Sequence, residues 1–263
     1  MDETYQTYLN RVARLTLPET YKTQLQHIQE SPKFKLLPNG SAEAVPFPGY
    51  TVCTPTWEEV SSLNSEFYNC MLDIQQQLAE QLDPGLMITV PPESFHLTLA
   101  DLIWDSAYRA VEQENPHFEK QLQECIQESF KKYPSSLSIG KPIEWQILGL
   151  MIRPRAIAVC LAPKDENSYR RMLELRRCIY QNSSLMALGI EQQYHFTSHI
   201  TLGYFGKIAS DLDRDRLTQT LLHFNREVLP MELIALYVQQ AQLRKFDDMM
   251  RYYRQPDWPV LQF

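Results

Sequence analysis

Apolar residues recur along the chain at spacings that predict helices alternating with strands. Six segments show the three- to four-residue spacing of a helix that is apolar on one face, namely about 5–12, 18–28, 57–82, 116–133, 165–186 and 211–226. Short apolar or alternating runs typical of strands cover about 50–54, 86–90, 95–99 with an extension to 104, 137–139, 143–152, 156–162, 195–205 and 232–244. The last of these is either a pair of strands or one long strand. This interleaving predicts an α+β fold in which two lobes flank a cleft.

Proline and glycine residues separate a leading segment from the rest of the chain. The turn at residues 38–40 (Pro-Asn-Gly) and the loop at residues 46–49 (Pro-Phe-Pro-Gly) follow the first two helical segments, and both compositions are typical of turns. We therefore expect residues 1–44 to form an N-terminal helical extension. Residues 45–263 are expected to form the main domain, which contains both lobes.

The composition is that of a globular protein with a substantial core. Of the 263 residues, 44% are apolar and 11% are aromatic, which is enough to bury a core of ordinary size. The longest apolar stretches, 147–152 and 156–162, are far shorter than the roughly 20 residues that cross a bilayer. The chain starts with Met1-Asp2-Glu3, without the basic and apolar regions of a signal peptide. We therefore expect a cytoplasmic protein with no membrane partner.

Charge and cysteine content narrow the classes of partner. A net charge of -7 disfavours a protein that coats long nucleic acids, because such binding neutralises many phosphates with Lys and Arg. A small nucleotide or the end of an RNA remains compatible with this charge, since one phosphate needs only a local pocket. The five cysteines contain no Cys-x-x-Cys pair, so neither a disulfide framework nor a zinc knuckle is indicated. The oligomeric state has no signature in the sequence.

Two strand-like runs contain nearly the same tetrapeptide. The sequence His-Leu-Thr-Leu begins at His96, and His-Ile-Thr-Leu begins at His199, 103 residues later. Residues two apart in a strand point to the same face, so His96 is expected to share a face with Thr98, and His199 with Thr201. The repeat therefore predicts two equivalent imidazoles and two equivalent hydroxyls.

This set of side chains fits phosphate chemistry without a metal. Attack on a phosphodiester needs a base that deprotonates the nucleophile and an acid, at the opposite end of the reaction axis, that protonates the departing oxygen. Histidine can take either role near neutral pH because its ordinary pKa is about 6.5. We predict His96 and His199 as the catalytic pair, and Thr98 and Thr201 as the residues that hold the phosphate oxygens. No metal or other cofactor is predicted.

A metal site is the competing interpretation, because His195 and His199 have the spacing that places two ligands on one face of a helix. However, the segment 194–202 alternates at a period of two and is rich in β-branched and aromatic residues, which favours a strand. In a strand the two histidines would lie about 13 Å apart, too far for one ion. His195 is therefore a candidate residue of the outer cleft, with an exposed position at the strand entry as the alternative.

The paired His-x-Thr-Leu motifs resemble the signature of the 2H (two-histidine) phosphoesterase superfamily, and the order of elements is compatible with it from about residue 46 onward. Members of the superfamily include bacterial RNA 2',3'-cyclic phosphodiesterases and plant cyclic nucleotide phosphodiesterases. The loop 46–50, the segment 91–95 and the sequence 199–204 look most similar to an uncharacterised bacterial branch, notably the cyanobacterial one.

The resemblance implies a fold of two antiparallel sheets with outer helices, which flank a central cleft and give one motif strand each to it. It also implies that His96 and His199 are the acid/base pair, that Thr98 and Thr201 are the phosphate ligands, and that no metal is required. The implied reaction is hydrolysis of a 2',3'-cyclic phosphate or of a similar small cyclic or RNA-terminal phosphodiester. The expected partner is thus a small nucleotide or an RNA end.

Further candidates for lining the cleft are aromatic residues near the motifs, together with His195. Trp104 and Phe205 fall at the same strand parity as their motif histidines, so each either stacks on a base or packs in the core. Tyr204 follows the second motif and has the same two interpretations.

Arginines also have two interpretations. Arg153 and Arg155 either add positive charge at the edge of the cleft or lie on a solvent-exposed hairpin turn. The pairs 170–171 and 176–177 are typical of a solvated helix face, with a phosphate-contacting patch as the alternative.

A non-catalytic nucleotide-binding or sensor protein that uses the same cleft is the second hypothesis for function. Many members of the superfamily carry a basic residue soon after the second motif and an aromatic residue soon after the first. This chain has Gly203-Tyr204 and Ala-Asp-Leu at 100–102 in those places. The acidic net charge and the N-terminal extension are also compatible with this hypothesis.

Overall fold

The computed structural model describes residues 3–38, 40–59, 62–138, 140–229 and 234–263. This part of the chain contains eight α-helices, which are α1 (Tyr5–Ala13), α2 (Pro18–Leu25), α3 (Ser65–Gln81), α4 (Asp105–Glu114), α5 (Phe118–Lys132), α6 (Glu166–Tyr180), α7 (Ser183–Ala187) and α8 (Arg214–His223). It also contains twelve strands, which are β1 (Phe34–Leu36), β2 (Ala42–Ala44), β3 (Gly49–Cys53), β4 (Met87–Thr89), β5 (Thr98–Trp104), β6 (Ile143–Arg153), β7 (Ala156–Pro163), β8 (His199–Phe205), β9 (Ala235–Val238), β10 (Gln240–Phe246), β11 (Tyr252–Tyr253) and β12 (Val260–Gln262). None of the helices within these ranges is long and apolar enough to cross a membrane.

The strands form two five-stranded sheets and a small hairpin. The first sheet has the order β11-β10-β3-β5, with β12 also paired to β10, and the second has the order β4-β8-β7-β6-β9. All neighbours are antiparallel, including β1 and β2 of the hairpin. Each sheet contains one motif strand, β5 in the first and β8 in the second. The predicted α+β fold with two antiparallel sheets is thereby confirmed.

The two leading helices, α1 and α2, pack on the second sheet. The Tyr8 hydroxyl lies 2.6 Å from the Ser198 hydroxyl, and the Tyr21 hydroxyl donates to the Leu150 carbonyl. Alternate residues of β7 contact α1 on one face, through Ala158 and Cys160, and the main core on the other. Strand β7 is therefore buried along its whole length, as its continuous apolar run requires. The division of the chain at residue 44 stays a prediction.

Two predicted helices differ in their extent, and one helix was not predicted. Helix α3 begins at Ser65, after single 3-10 turns at Trp57–Glu59 and Ser62–Asn64. The predicted helix 165–186 is interrupted at Asn182, whose side-chain oxygen accepts a bond of 3.0 Å from the Ser184 amide and so starts α7. Helix α4 was not predicted, because its sequence is mostly polar and Tyr108 is its one buried residue.

Several strand predictions also differ. In place of the predicted strand 137–139, Leu137 ends a turn and Ser138 has no regular structure, and Ile139 lies outside the described residues. The predicted segment 232–244 contains two strands in different sheets, β9 and β10, so the chain crosses from the second sheet to the first at Gln239. Residues 232–233 lie outside the described residues. The second motif strand begins at His199 rather than at residue 195.

Two arginines of α6 are structural rather than solvated. Arg171 and Arg176 are 2% and 6% exposed, which contradicts the predicted solvent-facing surface at these two positions. The Arg176 guanidinium donates to the Leu99 carbonyl at 2.6 Å. The Arg171 guanidinium donates to the backbone carbonyls of Leu137, Lys141 and Pro142.

Candidate active site

A cavity of about 470 Å³ opens between the two sheets and is lined by residues of both motif strands. His96 and Thr98 reach it from the first sheet, and His199 and Thr201 reach it from the second. All four side chains are half-buried. The four residues that the motifs predicted as a site are therefore brought together in one cavity.

Two β-bulges orient β5 so that every third residue faces the cavity. The pairing of β5 with β3 skips Leu99 and Leu102. An extra residue in one strand interrupts the alternation of faces, so Thr98, Asp101 and Trp104 all line the cavity. The two leucines are buried in the core. Trp104 thus lies where it was predicted to line the cleft.

A third bulge determines which aromatic residue of β8 reaches the cavity. The pairing of β8 with β7 skips Leu202, so Tyr204 lies on the same face as Thr201 and lines the cavity. Phe205 is fully buried and does not line it. The predicted place of Phe205 in the cleft assumed an unbroken alternation, which the bulge removes. The Leu202 carbonyl accepts a bond of 2.7 Å from the buried side-chain amide of Gln75 on α3.

His195 lies outside the cavity and is exposed, so the alternative position at the strand entry is the one observed. Within the part of the chain that the structure describes, no three His, Cys, Asp or Glu side chains lie close enough together to hold a metal ion.

Both catalytic candidates present the same ring nitrogen to the cavity. The Nδ1 atom of His96 lies 2.7 Å from the Ser94 carbonyl oxygen, and that of His199 lies 2.8 Å from the Thr197 carbonyl oxygen. A carbonyl can only accept, so each Nδ1 carries the proton and each neutral ring has its lone pair on Nε2. The Thr98 hydroxyl donates to Nε2 of His96 across 3.3 Å.

Both imidazoles are held in the neutral form in the free protein. Burial lowers the pKa of His96 to about 4, with Arg244 contributing in the same direction. Burial also lowers the pKa of His199 to about 4, followed by the charges of Arg153, His96 and Lys33. Because each ring disfavours the charge of the other, the pair binds its first proton more readily than its second.

The ring of His96 is supported by the last part of the chain. Its centroid lies 4.0 Å from that of the Tyr252 ring. The fully buried Arg244 donates to the Tyr252 carbonyl at 2.8 Å and to the Gln242 side chain at 2.9 Å, and it pairs with the Glu59 carboxylate. These contacts fix the residues behind His96, so the ring is oriented before any ligand binds.

The cavity is positively charged, although the whole chain is acidic. Its described lining residues include three cations, Lys33, Arg153 and Arg155, and one carboxylate, Asp101. Arg153 makes no ion pair with a carboxylate in the described ranges, and Arg155 donates to the Gln29 side chain at 3.1 Å. Arg153 is half-buried at the end of β6 and Arg155 is exposed in the turn between β6 and β7, so the predicted solvent-exposed turn is observed for Arg155 alone. This charge would attract an anion to the histidines.

Several lining residues had no signal in the sequence. Lys33 comes from the N-terminal segment, and Tyr252 follows the second motif by about fifty residues, so neither belongs to a local pattern. Asp101 and Tyr204 do have a signal in the sequence. Each lies three residues after its motif threonine, so the two occupy equivalent places in the repeat.

The fold and the paired motifs define a two-lobed protein with two facing His-Thr pairs. Residues 35–147, which contain the first motif, match the family model 2H-phosphodiest, described as a domain of unknown function (DUF1868). Over this segment the chain matches the 2H phosphodiesterase family, in agreement with the resemblance of its paired motifs. No curated protein matches it.

Several solved structures are similar to this chain at low sequence identity. A conserved protein of unknown function from Agrobacterium tumefaciens is 16% identical, with a TM-score of 0.58 over 89% of this chain and 96% of that chain. TT0787 of Thermus thermophilus is 16% identical, with a TM-score of 0.44 over 80% of this chain and 91% of that chain. LigT of E. coli, solved with 3'-AMP, is also 16% identical, with a TM-score of 0.39 over 81% and 97%. The first of these likenesses supports the fold.

Proposed function

We propose that the protein is a metal-independent phosphodiesterase of the cytoplasm. It would hydrolyse a 2',3'-cyclic phosphate, or a similar small cyclic or RNA-terminal phosphodiester, by general acid/base catalysis with His96 and His199. The proposal rests on one observation: the two imidazole rings have the same protonation and the same hydrogen-bonding pattern. Each donates Nδ1–H to a carbonyl of its own chain segment and leaves Nε2 for the cavity.

In the proposed reaction, one Nε2 accepts a proton from water while the water oxygen attacks phosphorus. The bond from phosphorus to one ribose oxygen breaks, and the other imidazole gives that oxygen its proton. Thr98 and Thr201 donate to the non-bridging oxygens, whose negative charge grows in the transition state. Arg153 provides positive charge at the same cavity wall.

The acid needs a proton that the free protein does not hold near neutral pH, since the pKa of each ring is about 4. A bound phosphodiester is an anion, and an adjacent negative charge raises the pKa of histidine. Substrate binding would therefore protonate one of the two imidazoles, which later gives this proton to the leaving oxygen.

The test is hydrolysis of a panel of 2',3'-cyclic nucleotides, and of a short RNA ending in a cyclic phosphate, by purified protein in EDTA. We expect turnover of at least one of them, and a loss of roughly 10²- to 10⁴-fold in His96→Ala or His199→Ala. His195→Ala is the matched control, since this exposed histidine lies four residues from His199 and outside the cavity. Equal rates for all four proteins would reject the proposal.

A nucleotide-binding protein without turnover is the second candidate. It is favoured by the lowered pKa of both rings, because a protein that only binds needs no protonated histidine. Calorimetry that shows tight nucleotide binding, together with no product after long incubation, would support this candidate over the first.

A further inference from the structure

Three hydrogen-bond donors converge on one sulfur atom at the cavity wall. The Sδ atom of Met249 lies 3.2 Å from the Lys33 ammonium, 3.1 Å from the Tyr204 hydroxyl and 3.5 Å from the Tyr252 hydroxyl. A thioether is a weak acceptor. All three donors thus point to the position of Met249 Sδ, and this sulfur is too weak an acceptor to satisfy their hydrogen-bonding capacity.

The ammonium of Lys33 has no carboxylate partner among the described residues. It lies over the ring of Phe47, at 4.4 Å from the centroid, and over that of Tyr204, at 5.0 Å. Burial lowers the pKa of Lys33 to about 8, although the charge of Asp101 opposes this. A cation that is half-buried against aromatic faces and a sulfur retains most of its capacity to bind an anion.

The two phenols are suited to the same ligand. Burial raises the pKa of Tyr204 and of Tyr252, so both hydroxyls stay protonated and can donate. Tyr252 also contacts the His96 ring, which places this cluster one phenol ring away from the catalytic histidine.

We propose that Lys33, Tyr204 and Tyr252 form a second anion subsite, which binds a phosphate of the substrate other than the one that is cleaved. This inference rests on the proposed phosphodiesterase function and narrows the substrate class to phosphodiesters that carry a further phosphate. The phosphate oxygen replaces Met249 Sδ as the acceptor of the three donors.

The experiment compares adenosine 2',3'-cyclic phosphate with the same nucleotide carrying a 5'-phosphate. We expect kcat/KM of the unaltered protein to be roughly 10- to 100-fold higher for the 5'-phosphorylated substrate, as charge-assisted hydrogen bonds to one phosphate would provide. Lys33→Met, Tyr204→Phe and Tyr252→Phe should each reduce this ratio, and Lys33→Met should bring it close to one.

Matched controls come from adjacent residues. Lys35 is exposed on β1 and does not line the cavity, and the Tyr253 hydroxyl bonds to the Asp247 carboxylate outside it. Lys35→Met and Tyr253→Phe should keep the ratio of the unaltered protein. A ratio that falls equally in the controls would overturn the subsite.

The outcomes separate this inference from the proposed function. Equal cleavage of both substrates by the unaltered protein overturns the subsite and leaves the phosphodiesterase function in place. If neither substrate nor any other member of the panel is cleaved, the proposed function fails, and calorimetry with the same two nucleotides decides the subsite. A Kd lowered by the 5'-phosphate, and restored by Lys33→Met, then supports it, whereas equal Kd values overturn it.

Discussion

The two histidines are equivalent in sequence and differ in their surroundings. The His96 ring rests on Tyr252, which Arg244 holds through its carbonyl. The pKa of His199 is lowered, after burial, by the charge of Arg153. An anion in the cavity would offset that charge more directly at His199. The repeat therefore predicts a symmetric pair, and the cavity makes it asymmetric.

Lowering the pH should weaken the fold through these two rings. Both have a folded pKa of about 4, whereas the unfolded chain titrates at about 6.5. Between these values the unfolded chain binds more protons, so the free energy of unfolding is highest above about pH 6.5 and falls as the pH drops towards 4. Urea unfolding at about pH 7.5 and about pH 5 measures this loss.

Substitution isolates the contribution of the histidines from that of other groups. His96→Asn or His199→Asn should lose less stability between the two pH values than the unaltered protein, while His195→Asn should lose as much. A pH dependence that is unchanged in the first two variants would contradict the lowered pKa values.

At the scale of single elements, the regular part of the fold was predictable and the bulges were not. The period-two pattern identified the strands around His96 and His199, because an alternating face is visible in a sequence. The bulged residues Leu99, Leu102 and Leu202 are apolar and lie in runs that are already largely apolar. The bulges therefore cannot be recognised in the sequence. Asp101 was therefore missed as a cavity residue. Tyr204 and Phe205 each had two interpretations, and the structure places Tyr204 in the cavity and Phe205 in the core.

Close packing between β4 and β8 gives a prediction for the strand that carries the second motif. A Cβ atom on Gly203 would lie 2.7 Å from the Ile88 carbonyl oxygen and from Met87 Cγ. Gly203→Ala must push the two strands apart and should lower the free energy of unfolding by about 1 to 3 kcal/mol. Urea denaturation measures this loss. The control is Ser184→Ala, at an exposed position on α7, which should change the free energy of unfolding by less than about 0.5 kcal/mol. Equal stability of the two variants would show that β4 can move away from β8 with no loss in the free energy of unfolding.

At the scale of the whole molecule, the N-terminal segment is built into the second lobe. Helix α1 covers the outer face of β7, α2 contacts β6 through Tyr21, and Lys33 enters the cavity. The sequence predicted the helices correctly, since each has its own apolar stripe. It could not predict what the stripes pack against, because the partner residues lie more than a hundred positions away.

This integration predicts a large effect of one N-terminal residue on stability. Tyr8 is fully buried, and its hydroxyl bonds to Ser198, next to His199. Tyr8→Ala should lower the free energy of unfolding by about 3 to 5 kcal/mol, as measured by urea denaturation. The control is Gln6→Ala, on the exposed face of α1. If both variants unfold like the unaltered protein, the segment is separable from the rest of the fold.

The crossing of the chain at Gln239 determines when the site can form during synthesis. Strand β10 joins β3 in the first sheet only after the whole second sheet has been made. A ribosome that has translated both histidine motifs has still not produced Arg244 or Tyr252, which support His96. A nascent chain halted before Gln240 would hold the second lobe nearly complete, with the first lobe reduced to β3 and β5. The catalytic candidates are thus synthesised before Arg244 and Tyr252, the residues that support His96.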